Sequence, residues 1–397
     1  MVWIQSLLFF MSLSALQWRV TSESSSESGS QVTDGKRYAW VLSVVYPLFP
    51  IYAIVAHWVT GQEFWLLVPI LFTYGVVPAL DAWLGEDGSN PPESAVEDLQ
   101  NDRYYRVLTW ATVPLHVVSL IGACIYFVLA DLSLLAALVL AVTTGLASGL
   151  AVNTAHEMGH HRHPVDQALT RLALAVPFYG HFTVEHNFGH HKAVATPDDH
   201  ASSRWNESIY RFALREILGG LRRSWRIECQ RLARRGRAWY SPHNTILQSH
   251  ALALLIQAGL IIALGWPALA FLLIHNAIAW FQLTSANYVE HYGLLRERLQ
   301  DGAYERCQPH HSWNSNHLMS NLLLFHLERH SDHHAHPDRR YQCLRDFDGV
   351  PRLPSGYFAM FLLAYLPPLW FRVMNPRVLA LPHINGDHAR VNHGPSR

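Results

Sequence analysis

The chain contains stretches as long as a membrane helix without a single Asp, Glu, Lys or Arg. Spanning a bilayer takes about 20 mostly apolar residues, because each helical residue rises about 1.5 Å. Tyr38–Thr60, Phe64–Leu80, Val107–Ala130 and Leu132–Ala155 are four such runs, the last two separated only by Asp131. Ala238–Val289 is also uncharged but too long for one span, and Gly265-Trp266-Pro267 punctuates it as a tight helix–helix connection does. Read as helices over 246–264 and 267–289, it brings the total to six. The sequence thus predicts an all-α, polytopic membrane protein with six transmembrane helices.

Two further apolar runs are weaker. Leu172–Val184 is short and carries Pro177, which predicts a buried or re-entrant segment. Leu353–Phe371 holds Pro354, Gly356, Pro367 and Pro368 and reads as an interfacial helix rather than a seventh span. Val2–Trp18 resembles a signal h-region but has no Lys or Arg before it, and the Ser/Glu-rich residues 22–30 read as a flexible linker. The expected organisation is an N-terminal extension over 1–35, a membrane domain over 36–375 and a tail over 376–397.

Composition narrows the function. Lys+Arg and Asp+Glu both total 30, so no basic excess marks a nucleic-acid partner. Histidine is abundant at 26, with nine in residues 156–200 and eight in 310–336. Cys124, Cys229, Cys307 and Cys343 show no Cys-x-x-Cys spacing. They read as free thiols in a reducing compartment, and they supply no iron–sulfur or rubredoxin-like set.

Orientation follows from the arginines. Residues 204–237 hold ten Arg against Glu207, Glu216 and Glu228, which marks a cytoplasmic segment. With six spans and a cytoplasmic N-terminus, every histidine-rich segment then falls on the cytoplasmic face, at the ends of spans four and six.

The histidines form boxes. In His156-Glu157-Met158-Gly159-His160 the two imidazoles are four apart and share a helix face. In Glu185-His186-Asn187-Phe188-Gly189-His190-His191, helical spacing pairs His186 with His190 and leaves His191 for a neighbouring site. In His330-Ser331-Asp332-His333-His334, His330 pairs with His333 or His334. His291 ends span six within Asn287-Tyr288-Val289-Glu290-His291-Tyr292-Gly293. These nine, His156, His160, His186, His190, His191, His291, His330, His333 and His334, exceed one ion's needs but fit two ions with four or five nitrogens each. Imidazole suits Zn, Cu, Fe and Ni alike, so ligand type does not choose the metal. The first box also matches the zincin signature, with Glu157 as a general base, which keeps a membrane zinc metalloprotease open. It contains a Glu-x-x-His step like those of carboxylate di-iron bundles, but no second copy stands in a matching position. A metal transporter fits less well, because transporters place polar ligands near the bilayer midplane.

These boxes resemble those of the membrane-bound alkane 1-monooxygenases, within the histidine-rich di-iron hydroxylases and desaturases. The resemblance extends to Gly85-Glu86-Asp87, Asn90-Pro91-Pro92-Glu93, Tyr104-Tyr105-Arg106-Val107-Leu108-Thr109, Ala195-Thr196-Pro197, Leu283-Thr284-Ser285-Ala286-Asn287-Tyr288 and His311-Ser312-Trp313-Asn314-Ser315-Asn316-His317. It covers roughly residues 36–375, and its most specific part is the Asn-Tyr-x-Glu-His-Tyr-Gly segment. It implies a non-haem di-iron centre of two Fe ions held by the nine histidines. It further implies O2 as oxidant, a terminal methyl of a medium- or long-chain n-alkane converted to a 1-alkanol, and electrons from rubredoxin and rubredoxin reductase. The implied location is the bacterial cytoplasmic (inner) membrane, with the site on the cytoplasmic side. Relatives acting on xylene, fatty-acid or terpene substrates are the alternative. His161, where the family usually has Lys, and Glu328, where Gln is common, are departures that remove no ligand.

Neutral imidazoles leave the ions' charge unbalanced, which makes Glu157, Glu185, Glu290 and Asp332, each beside a histidine of the set, candidates for balancing charge and orienting ligands. The Arg-rich 204–237 segment, including Arg222, Arg223, Arg234 and Arg235, is a candidate dock for an acidic carrier. Thr73, a small residue halfway along span two between Phe72 and Tyr74, is a candidate substrate-channel position.

Overall fold

In the computed structural model, which describes residues 17–21 and 31–395, the six expected spans are six long helices. They are α1 (Val41–Thr60), α2 (Glu63–Leu84), α3 (Arg103–Leu129), α4 (Leu134–Gly159), α7 (Thr245–Leu264) and α8 (Trp266–His291). Between α4 and α7 lie α5 (Pro164–Ala175) and α6 (Ile209–Ala233). The helices begin where the sequence offers caps. Asp102, Ser133, Ser208 and Asn244 accept backbone N–H bonds at the starts of α3, α4, α6 and α7. Gly265, at φ 81°, turns the chain between α7 and α8, a left-handed conformation that suits a residue without Cβ.

The innermost span is α4, with 72% of its apolar stretch buried against 22% for α2 and for α7. It packs most closely on α8, through two glycines. A Cβ on Gly145 would meet the His275 carbonyl oxygen at 2.7 Å, and one on Gly149 would meet Gln282 Cβ at 2.6 Å. Small residues four apart let two backbones approach in lipid. The contact fixes the relative position of the two helix ends that carry His156, His160 and His291.

Leu353–Phe371 is not one helix. α10 (Tyr357–Ala364) and α11 (Pro367–Leu379) meet at a bend of 119°, because Pro367 and Pro368 open a new helix instead of extending the old one. The 172–184 stretch leaves α5, turns at Pro177 and Phe178 and runs on to Phe182–Glu185, largely buried. One departure from an all-α chain is a short antiparallel pair, β1 (Trp18–Thr21) with β2 (Gln31–Asp34), in segments carrying the β-branched Val20, Thr21, Val32 and Thr33. Residues 22–30, and the apolar run up to residue 16, lie outside the described residues.

Candidate metal centre

All nine box histidines converge where α4 and α8 end. They form two groups, His156, His160, His186, His191 and His333 in one and His190, His291, His330 and His334 in the other, with potential ligand atoms within 4.8 Å of one another inside each. The nitrogens face each other closely. His156 Nε2 lies 2.8 Å from His333 Nε2, His191 Nε2 lies 2.9 Å from His186 Nε2, and His334 Nε2 lies 2.9 Å from His330 Nε2. Ring nitrogens bound about 2.1 Å from a common ion at right angles stand about 3 Å apart. The donor set therefore fits one ion per group. The buried Nε2 atoms of His160 and His190 have no hydrogen-bond partner, as atoms reserved for an ion should not.

The division between groups differs from simple helical spacing. His186 joins His191, and His190 goes to the other group, because residues 186–190 form a π-helical turn. Its i→i+5 hydrogen bonding widens the turn and brings the residue five on, His191, round toward the face of His186. In the third box, on the short helix α9 (His330–Ala335), His330 joins His334, and His333 crosses to the first group. The first box keeps both imidazoles together, but three histidines from other boxes join them. The zincin-like pentapeptide is therefore one part of a larger assembly.

Burial sets the protonation. It holds His186, His191, His330, His333 and His334 well below the ordinary imidazole range, with neighbouring imidazoles adding to the effect. His160 is pushed down to about 3 by burial, then by His161 and His190. Neutral imidazoles with free lone pairs are what a cation requires.

The four flagged carboxylates take different places. Glu290 Oε2 lies 3.3 Å from His330 Nε2 and is the one that touches an imidazole of the nine. Glu157 accepts the Tyr341 N–H at 3.2 Å and stands 3.5 Å from His161 Nε2. Glu185 is held by the Nε and Nη2 atoms of Arg223. Asp332 accepts from His336 Nδ1 and Arg339 Nη1 and from the Arg345 N–H.

The sequence reading missed Asp199. Its Oδ2 lies 2.8 Å from His190 Nδ1 and accepts from Ser202 at 2.7 Å, while Oδ1 accepts from Arg223 Nη2 at 2.8 Å. The position follows the second box by only a few residues, which was the available signal. A backbone group does the same for His291, whose Nδ1 points at the His311 carbonyl at 3.4 Å. Arg223 is thus not a free docking cation, as its charge is taken up by Glu185 and Asp199. Arg222, Arg234 and Arg235 are exposed on or beside α6. Thr73 is buried within a π-helical turn, its Oγ1 2.6 Å from the Tyr46 hydroxyl and donating to the Pro69 carbonyl. Its neighbour Phe72 lines an apolar cavity of about 290 Å3 with Phe49, Tyr52, Trp65 and others.

The fatty acid desaturase family model matches residues 133–364, from the cap of α4 to the end of α10, and includes all nine histidines. The chain is 50% identical over 363 residues to alkane 1-monooxygenase 1 of Alcanivorax borkumensis, covering 91% of this chain and 89% of that protein. It is 49% identical over 366 residues to an alkane 1-monooxygenase of Pseudomonas putida, covering 92% and 90%. Against that of Ectopseudomonas oleovorans the identity is 50% over 354 residues, covering 89% and 88%.

Proposed function

This chain belongs to the alkane 1-monooxygenase family, and we propose that it hydroxylates the terminal methyl of medium- or long-chain n-alkanes within a bacterial inner membrane. The observation that carries the reading is the pair of buried imidazole groups, five and four, at the ends of two packed apolar spans. We assign each group one iron. Bound iron supplies the redox chemistry: O2, two electrons, two protons and an alkane give one 1-alkanol and one water.

The chain's own residues prepare the site. Asp199 keeps a proton on His190 Nδ1, which leaves Nε2 free to bind. The His311 carbonyl does the same for His291. Arg223 pairs with both Glu185 and Asp199, so that His190 is oriented by a fixed carboxylate. Seven of the nine imidazoles, all but His160 and His191, are buried, which limits water at the site. The apolar spans let an alkane arrive from the lipid.

No Cys-x-x-Cys pair or flavin motif in the chain supplies electrons, so rubredoxin and its reductase are the donors in this reading. The exposed arginines of α6 face an acidic carrier on the cytoplasmic side. Metal analysis of the detergent-solubilised chain should give about two irons per chain, and alkane with rubredoxin, its reductase and NADH should yield 1-alkanol. One zinc and no iron would overturn the assignment in favour of a zinc enzyme.

A further inference from the structure

Arg296, just beyond α8, is only 6% exposed. Its Nη1 donates to the carbonyls of Lys192 at 3.2 Å and Glu305 at 3.5 Å. Its Nε and Nη2 are buried and have no partner among the described residues. Those two atoms form the side-on fork of a guanidinium. Elsewhere in this chain the same edge is filled: Arg215 grips Glu207 with it at 2.9 and 2.7 Å, and Arg231 grips Glu228 at 2.6 Å through both atoms. Burial without a touching carboxylate also disfavours the charge on Arg296. A buried cation left unpaired is costly, and an open fork there is matched by an oxyanion.

Arg296 lines a pocket of about 520 Å3 together with Arg298, His310, His311, His383 and Arg390. The carboxylates that line it are Glu297 and Glu305. Glu305 is engaged, since its Oε1 accepts the Glu297 N–H at 2.9 Å and stands 3.3 Å from His311 Nε2. His311 does not offer that nitrogen as a free lone pair. Its Nδ1 accepts the Gln308 N–H at 2.9 Å, which puts the ring hydrogen on Nε2. The group Glu305, His310 and His311 is therefore a poor cation site, although its ligand atoms lie close together.

We propose that this pocket binds a carboxylate, gripped side-on by Nε and Nη2 of Arg296. The two resident glutamates favour a singly charged carboxylate over a doubly charged phosphate. Its floor includes His311, whose carbonyl holds His291 of the second imidazole group. That position makes an acidic side chain of the electron carrier the source, a step that rests on the function proposed above.

The test uses the full, metal-loaded chain in detergent and a saturation-transfer NMR titration with propionate, a singly charged mimic of an acidic side chain, with ionic strength held constant by NaCl. Wild type should saturate, and Arg296→Gln should raise the half-saturating concentration about tenfold or more, as loss of a charge-assisted fork requires. Glu305→Gln should lower it, because a repelling carboxylate is gone; this second variant still decides the matter if Arg296→Gln does not fold. No saturation by wild type, or equal binding by both variants, overturns the site. Displacement of propionate by rubredoxin supports the carrier as source. If rubredoxin binds wild type without displacing propionate, the carrier is overturned as the source, and a free carboxylate is the ligand. If rubredoxin does not bind at all, it is the electron-donor reading that fails.

Discussion

Asp199 Oδ2 stands 2.8 Å from His190 Nδ1, and both side chains are buried. The carboxylate fixes the ring's tautomer and direction, and removing it leaves a buried N–H without an acceptor. Asp199→Ala should weaken metal retention about 10- to 100-fold. Metal content after gel filtration against a chelator measures this directly. A variant that keeps its metal and turns over like wild type would show that His190 needs no such partner.

The arginines of 204–237 divide into two classes that mutation should separate. Arg223 is bound to two buried carboxylates, so Arg223→Gln leaves Glu185 without a cation and Asp199 with His190 and Ser202 alone, and should cost about 3 kcal/mol, read as a lower Tm. The exposed Arg222, Arg234 and Arg235 have no ion pair among the described residues. Replacing these three with Gln should leave Tm nearly unchanged and raise the apparent KM for rubredoxin, because exposed charge acts through steering. An unchanged KM removes them from docking.

Close packing of α4 on α8 predicts a stability effect far from any metal. Gly145→Ala drives a methyl against a backbone carbonyl oxygen and Ile278, and Gly149→Ala drives one into Gln282. Each should destabilise by about 1–3 kcal/mol. Gly259→Ala on α7, where a Cβ meets nothing within 4 Å, should instead be neutral or stabilising by up to about 1 kcal/mol. Thermal unfolding in one detergent compares all three.

The spans were legible because charge-free length leaves a chain few alternatives, and the boxes were legible because imidazole at helical spacing is a rare pattern. The partition of the nine was not, since it depends on a π turn at 186–190 and on how α9 enters the site. Helical spacing separates His190 from His191 but sets His190 with His186, whereas the π turn gives His186 to His191. Asp199 was missed for a related reason: its role is set by the turn that returns it to His190, not by its spacing from that residue. Gly145 and Gly149 were within reach, because Gly-x-x-x-Gly inside an apolar run is a packing motif. The assignment of Arg223 needed the tertiary structure, since an arginine run looks alike whether its members face water or a buried carboxylate.

Thr73 joins α2 to α1 through the Tyr46 hydroxyl. Thr73→Val keeps the volume but strands that hydroxyl, at about 1–3 kcal/mol, and should leave the range of accepted alkanes as it was. Thr73→Trp adds bulk beside Phe72 and the apolar cavity and should shorten the longest alkane accepted. Product profiles over a series of chain lengths check both; an unchanged limit in the Trp variant means α2 is not the ruler.

Glu216, on α6 outside the spans, is buried, and burial pushes its carboxyl up to about 7 against the pull of bonds from Thr284 and Asn287. A raised folded-state value means that the fold holds a proton which the unfolded chain gives up near its ordinary value of 4.5. Stability from this group is therefore intact below about 4.5, falls as pH rises and is fully lost above about 7. Glu216→Gln carries no such proton, and its amide can still accept from Thr284 or Asn287. The variant should match wild type near pH 4.5, gain on it progressively to pH 7, and keep a constant advantage on the order of 3 kcal/mol above that. Tm differences between the two proteins, taken pH by pH, cancel the titration of every other group. A difference that stays flat from pH 4.5 to 8 would mean that Glu216 titrates alike in the folded and unfolded chain.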